Sequence, residues 1–231
     1  MNVDLQAFAP ALLAGTWLTI QLALASLALG LVLGLLGALA KTSPFRVFRW
    51  LGDTYSTLVR GVPELLWVLL IFYGSVGAVH ALGGLIGNPD LELSPFLAGV
   101  LALGLCFGAY ATEVFRGALL SIPKGQREAG LALGLSRRRI LWQLVLPQMW
   151  RVSLRGLGIL FMILMKDTAL VSVVGLHEVM RQSQIAVTAS KQPFTFYMAA
   201  AVIYLSLTAV SMLALRWFER RANRGYQGSR A

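Results

Sequence analysis

The chain has 231 residues, of which 57% are hydrophobic and only 13% are charged, and its formal net charge is +10. Average soluble domains contain about 25% charged residues, so a soluble fold of this length would lack the polar side chains that cover such a surface. The composition therefore excludes an ordinary soluble domain. It predicts an all-α membrane protein, because each backbone in lipid must satisfy its own hydrogen bonds.

Five charge-poor stretches predict five transmembrane helices in one membrane domain that comprises residues 1–231. A bilayer core of about 30 Å needs roughly 20 apolar helical residues, and each stretch is long enough. The predicted spans are residues 11–39, 62–82, 94–114, 153–176 and 194–216.

Basic residues set the predicted orientation of these spans. Seventeen of the 20 Lys and Arg residues lie in segments 41–60, 115–155 and 216–231, which five alternating spans place on one side. Because basic residues accumulate in cytoplasmic loops, we expect the N-terminus outside and the C-terminus in the cytoplasm. The same asymmetry accounts for the positive charge, so nucleic-acid binding is not expected.

Two pairs of glycines occur at GxxxG spacing, Gly30 with Gly34 and Gly104 with Gly108. Such pairs let membrane helices approach each other closely. Glycine is also common in membrane helices generally, so close packing and simple composition both explain the pattern.

A short charged segment, residues 121–148, separates the third and fourth spans and is called the connecting segment below. It contains EAGLALGLSRRRILWQLVLP at 128–147. A run of helix-forming residues ends at Gly134, which suits the left-handed turn after a helix. Ser136 can cap a second helix, which Pro147 would close before the fourth span. The sequence therefore predicts a helix–turn–helix along the membrane surface.

The exposed side of this predicted helix–turn–helix presents two small residues, Ala129 and Gly130, beside charged ones. Small residues permit close docking of another protein. An amphipathic helix that Arg137, Arg138 and Arg139 hold on anionic lipid explains the same composition.

Charged side chains inside the predicted spans are costly in lipid, so they are expected to face a cavity or a partner. Lys166 and Asp167 interrupt the fourth span and either line a translocation path or form a buried ion pair or anchor. Glu113 shares a helix face with Arg116, with which it can pair. Glu64 follows a Gly-Val-Pro sequence and either caps a helix start or acts as a gate.

Tyr110 precedes Glu113 by three residues. Its ring either offers an aromatic face to a cation or serves only in packing. The three acidic positions within the spans favour a cationic substrate. The sequence contains no phosphate-binding loop, no His-Glu-x-x-His and no Gly-x-Ser-x-Gly motif, so nothing in it supports catalysis.

Four motifs together resemble the permease subunits of polar amino-acid ABC importers, most closely the histidine/lysine/arginine/ornithine type. They are the 128–147 motif, LVRGVPELLWVLLIFYG at 58–74, GAYATEVFRGALLSIPKGQ at 108–126 and KDTALVSVVG at 166–175. In that family the first motif reads Glu-Ala-Ala, three residues, Gly, nine residues, Ile, one residue, Leu-Pro. Gly130 replaces the second Ala here and Leu144 replaces the Ile, and both departures are mild.

The resemblance implies that the connecting segment is a cytoplasmic coupling loop that docks on an ATPase subunit. The residues expected to dock are Arg127, Glu128, Ala129, Gly130, Gly134 and Pro147. The residues expected to line a substrate path are Glu64, Tyr110, Glu113, Lys166, Asp167 and Thr168.

The implied partners are a second permease subunit (a related paralogue or an identical copy), two ATP-binding cassette subunits, an extracytoplasmic amino-acid-binding protein and the lipid of a bacterial inner membrane. ATP and Mg²⁺ would belong to the ATPases, so this chain is expected to bind no cofactor or metal and to be no enzyme. It would move polar, cationic amino acids by alternating access, with glutamine, glutamate or other polar amino acids as alternative substrates. A non-transporting membrane anchor or scaffold and an uncoupled channel are the alternative functions.

Overall fold

The structure is a computed structural model that describes residues 5–85 and 93–222. Within these ranges the chain is almost entirely helical and contains no strand, as the composition predicts. The α-helices are α1 Leu5–Lys41, α2 Arg46–Gly61, α3 Glu64–Leu85, α4 Pro95–Ser121, α5 Lys124–Ala132, α6 Arg137–Arg139, α7 Leu146–Asp167, α8 Val179–Ser190 and α9 Pro193–Ala222. A π-helical segment, Ile140–Val145, joins α6 to α7, and a 3₁₀ segment, Thr168–Val174, follows α7.

Four stretches are long and apolar enough to cross a membrane: α1, α4, α9 and the nearly continuous helix Arg137–Val174. The fifth span requires α2 and α3, which meet at an angle of 103°. The all-α membrane fold is therefore confirmed, with four such spans, or five if the bent pair forms one span. The chain ends, to which the predicted orientation refers, lie outside the described residues.

The 41–60 region, predicted as a loop, is mostly helix α2. Its basic side chains gave it the appearance of a cytoplasmic connection. However, Gly52, Ser56 and Val59 recur at helical spacing and are buried against the neighbouring helices. Burial of this narrow face is sufficient to fix an amphipathic helix although the segment is polar overall.

Helices α1 and α4 run in the same direction and pack with little space between them. A methyl group built at Gly34 would lie 2.6 Å from Cβ of Ala111, and one built at Gly108 would lie 2.8 Å from Cβ of Leu33. Gly30 and Gly104 face the same interface. Close packing rather than simple composition therefore explains both GxxxG pairs, and this contact is called the glycine interface below.

We expect Gly34→Ala to destabilise the protein by about 1–3 kcal/mol, because an added methyl would overpack the glycine interface. Gly117→Ala is the matched control, since a methyl built at Gly117 of α4 meets nothing within 4 Å. Thermal melting of the purified protein in detergent, followed by size-exclusion chromatography, compares the two variants. A Gly34→Ala variant as stable as the Gly117→Ala control would show that the interface tolerates a methyl group.

Glu178 fixes the start of α8 against the rest of the bundle. It is fully buried and accepts hydrogen bonds from the backbone N–H of Met180 and of Arg181, both at 2.8 Å. The Tyr204 hydroxyl of α9 also donates to it at 2.9 Å. Burial raises the pKa of Glu178, and these three hydrogen bonds partly oppose the rise. The sequence gives little sign of this role, because a single Glu after a Gly-Leu-His turn resembles an ordinary exposed cap.

Candidate functional site

The break between α2 and α3 places Glu64 at the first position of α3. Pro63 disfavours a helical conformation at the preceding residue, and Val62 is extended, with φ −111° and ψ 135°. The Trp67 indole N–H donates to the carbonyl of Val59 across the break at 3.1 Å. The bend is therefore fixed on both sides, and it turns the Glu64 carboxylate towards α4 and α7.

Glu64, Tyr110 and Asp167 come together from α3, α4 and α7 around one small cavity. The Tyr110 hydroxyl donates to Oε1 of Glu64 at 3.3 Å. The remaining lining is apolar or weakly polar: Leu103, Cys106, Phe107, Leu160, Ile163 and Leu164. The cavity volume is about 20 Å³, which is too small for an amino acid.

The other three residues of the expected substrate path lie elsewhere. Lys166 is exposed and does not line the cavity, because adjacent helical residues point about 100° apart. Thr168 is buried, and its hydroxyl donates to the carbonyl of Met165 at 2.7 Å. Glu113 lies one helical turn beyond Tyr110 on α4, on the side of the connecting segment.

Glu113 is the centre of an ion-pair cluster that joins α1, α2 and α4. Its carboxylate accepts hydrogen bonds from Lys41 and from Nε of Arg116, the latter at 2.9 Å, as the sequence spacing predicts. Lys41 also pairs with Asp53 at 2.9 Å. Arg60 completes the cluster, with Nη1 at 4.0 Å from Oε1 of Glu113. Sequence reasoning missed Lys41 and Arg60, because long-range partners leave no local pattern.

The connecting segment begins with α5 and turns sharply after it. Gly134 has φ +74°, the left-handed conformation that the sequence predicts at this position. The Gly134 N–H donates to the carbonyl of Leu131 at 2.9 Å, and the Leu135 N–H donates to that of Gly130 at 3.0 Å. The Ser136 hydroxyl then accepts from the N–H of Arg139 at 3.4 Å, which starts α6.

The surface of α5 differs from the predicted one at one position. Arg127, Glu128 and Ala129 are exposed, but Gly130 is buried. A methyl built at Gly130 would lie 2.9 Å from Cγ1 of Ile140. Gly130 therefore does not lie on the exposed side of α5. It allows α5 to pack closely on the helix that leads into α7.

Pro147 does not close a separate second helix, as the sequence suggested, but lies in the first turn of α7. A proline ring clashes with the carbonyl four residues earlier and supplies no N–H. The chain accommodates it by widening into the π-helical segment just before it. The Gln148 side-chain amide donates to the carbonyl of Leu144 at 2.9 Å, so the helix continues.

A bundle of apolar spans that encloses a pair of carboxylates is the organisation of a membrane transporter subunit. The sequence profile of the binding-protein-dependent transport system inner membrane components matches residues 26–224. The chain belongs to this family.

Relatives of this chain are permease proteins. It is 40% identical to the arginine ABC transporter permease protein ArtQ of Escherichia coli K12 over 220 residues, covering 90% of this chain and 92% of the relative. It is 39% identical to the histidine/lysine/arginine/ornithine transport system permease protein HisQ of the same strain over 221 residues, covering 96% and 97%. It is 40% identical to the octopine transport system permease protein OccQ of Rhizobium meliloti over 215 residues, covering 93% of this chain and 91% of the relative.

Solved structures agree with this assignment. An amino acid ABC transporter crystallised with histidines is 29% identical, with a TM-score of 0.80 over 96% of this chain and all of that chain. The MetNI methionine ABC transporter shares the fold. It is 20% identical, with a TM-score of 0.73 over 96% of this chain and 99% of that chain. The resemblance to polar amino-acid importer permeases is thus confirmed.

Proposed function

We propose that this chain is the permease subunit of an ATP-driven importer that moves polar, cationic amino acids across the inner membrane by alternating access. The observation that carries the proposal is the convergence of Glu64 and Asp167 on one cavity between the spans. Relatives named for arginine, for histidine, lysine, arginine and ornithine, and for octopine support this substrate class.

Two carboxylates beside an aromatic ring suit a guanidinium or ammonium group. Charges within lipid are retained where they meet an opposite charge, and the face of Tyr110 adds a cation–π contact. An apolar lining excludes water and strengthens these electrostatic contacts. A neutral or acidic amino acid would leave at least one carboxylate unpaired, which favours a cationic substrate over glutamine or glutamate.

The small size of the cavity supports alternating access. A space of about 20 Å³ cannot hold an amino acid, so the loaded state requires a second arrangement of the helices. Substrate and ATP would each favour one of two pre-existing arrangements and shift the balance between them. Because the cavity is lined by three different helices, movement of α3 or α7 relative to α4 would change its size.

The connecting segment is the coupling loop in this proposal, and it docks on a partner ATPase that binds ATP and Mg²⁺. Arg127, Glu128 and Ala129 form the exposed docking side of α5. Gly130 packs on Ile140, and the helix continues from there to Asp167. Movement of α5 by the ATPase would therefore pass directly into the helix that carries one of the two carboxylates. This arrangement requires a cytoplasmic connecting segment, with the N-terminus outside.

The assembly would contain a second permease subunit (a paralogue or an identical copy), two ATPases and an extracytoplasmic binding protein. Purification of the tagged chain with its native partners, followed by reconstitution into proteoliposomes, tests the proposal. We expect ATP-dependent uptake of labelled arginine that excess lysine inhibits and excess glutamine does not. Arginine flux without ATP would indicate an uncoupled channel. Purification without an ATPase, together with no flux, would indicate an anchor or scaffold.

A further inference from the structure

Arg60 lies directly beside the candidate substrate site without lining its cavity. It is in the last turn of α2, immediately before the break that positions Glu64. Its guanidinium carbon lies 5.3 Å from the centre of the Tyr110 ring, and the hydroxyl of that ring donates to Glu64. Tyr110 therefore contacts a permanent positive charge through its ring and the Glu64 carboxylate through its hydroxyl.

Arg60 is held only loosely in this position. Within the described part of the chain, its one ion-pair contact is with Glu113 at 4.0 Å. Glu113 already accepts from Lys41 and Arg116 at shorter distances, so Arg60 adds little to that pairing. Its side chain is 42% exposed, which leaves room for the guanidinium to move. Arginine also prefers a planar, two-point contact with a carboxylate, which Glu113 does not provide here.

The acidic pair needs a counter-ion whenever no substrate is bound. Two carboxylates that face each other in an apolar cavity repel each other, and each is costly without a positive partner. Arg60 is the candidate, because its guanidinium lies against the ring of Tyr110, whereas Lys41 and Arg116 are engaged by Glu113 and Lys166 does not line the cavity.

We propose that Arg60 is the resident counter-ion of the substrate site: between transport cycles its guanidinium moves past Tyr110 to Glu64 and Asp167, and the cationic substrate displaces it. This inference rests on the proposed function. Arg60 acts by competing with the substrate for the same carboxylates, so it lowers affinity and speeds release. A structural role at the end of α2 would change neither quantity in this manner.

Binding of labelled arginine to the purified complex in detergent, together with ATP-driven uptake in proteoliposomes, tests this role. We expect Arg60→Gln to lower the Kd about tenfold, because the competitor is gone. The uptake kcat and KM should both fall, since release becomes slow. Arg49→Gln is the matched control. Arg49 is on the same helix, donates to the carbonyls of Ser43 and Pro44, and should keep the wild-type Kd.

An unchanged or higher Kd in Arg60→Gln would overturn the inference. If that variant does not assemble, the Kd of the Arg60→Lys complex for labelled arginine tests the inference instead. Lysine keeps the charge but cannot make the two-point contact, so its Kd should fall about threefold, and no fall would overturn the inference. A wild-type complex that binds no cationic amino acid would overturn the proposed function as well. Wild-type binding with an unaffected Arg60→Gln variant would overturn only the role of Arg60.

Discussion

Asp167→Asn is expected to reduce uptake of arginine at least 30-fold while the complex still assembles. The substitution keeps the shape of the side chain but removes its charge from an apolar cavity. Loss of one charged partner for a buried ligand costs about 2–3 kcal/mol, and each 1.4 kcal/mol corresponds to a tenfold change. Initial rates in proteoliposomes at several arginine concentrations measure the effect on kcat/KM.

Lys166→Met is the neighbouring comparison, because Lys166 is exposed and outside the cavity. We expect its kcat/KM to stay within about twofold of the wild-type value. Full uptake by Asp167→Asn would exclude Asp167 from the substrate path. A large loss in Lys166→Met would instead show that the exposed side of α7 carries the substrate, or that it contacts the second permease subunit at a sensitive point.

Glu128→Arg is expected to abolish uptake, with the protein still present in the membrane in normal amount. Glu128 is exposed on α5, so its replacement leaves the packing of the bundle unchanged. A reversed charge on a docking surface places like charges together and costs several kcal/mol. The measurements are uptake, ATPase co-purification and immunoblot of the membrane fraction. ATPase co-purification should be lost together with uptake.

Arg138→Glu separates docking on a protein from binding to lipid. Arg138 is exposed in α6, beyond the Gly134 turn. If the connecting segment were an amphipathic element held on anionic lipid, Arg138→Glu would weaken membrane attachment of the segment more than Glu128→Arg does. Under the docking hypothesis, Glu128→Arg has the larger effect on uptake. Wild-type uptake by Glu128→Arg would contradict the docking hypothesis.

The spans could be predicted from the sequence because bilayer thickness fixes their length, and a charge-free run of that length is typical of a membrane-spanning helix. Helix α2 could not, because its buried face is narrow and its basic side chains resemble those of a loop. The continuation of the helix through Pro147 was missed for a related reason. Proline normally ends a helix, and the wider π-helical turn that accommodates it has no sequence signature.

The candidate site was partly visible for the same physical reasons. The cost of charge in lipid singled out Glu64, Glu113 and Asp167 individually. Which of them share a cavity is a tertiary property, and the structure separates Glu113, bound by Lys41 and Arg116, from the other two. Gly130 was assigned to the wrong surface because a glycine offers the same sequence signal for docking and for internal packing.

The glycine interface also limits how this protein can move. Backbones in such close contact resist sliding, so we expect α1 and α4 to move together as one body. Tyr110 belongs to that body, whereas Glu64 and Asp167 are on helices outside it. If the proposed transport cycle moves α3 and α7 against this body, the two carboxylates change position while the aromatic ring stays in place. A transported cation would then contact one fixed side chain, Tyr110, and two carboxylates on helices that move.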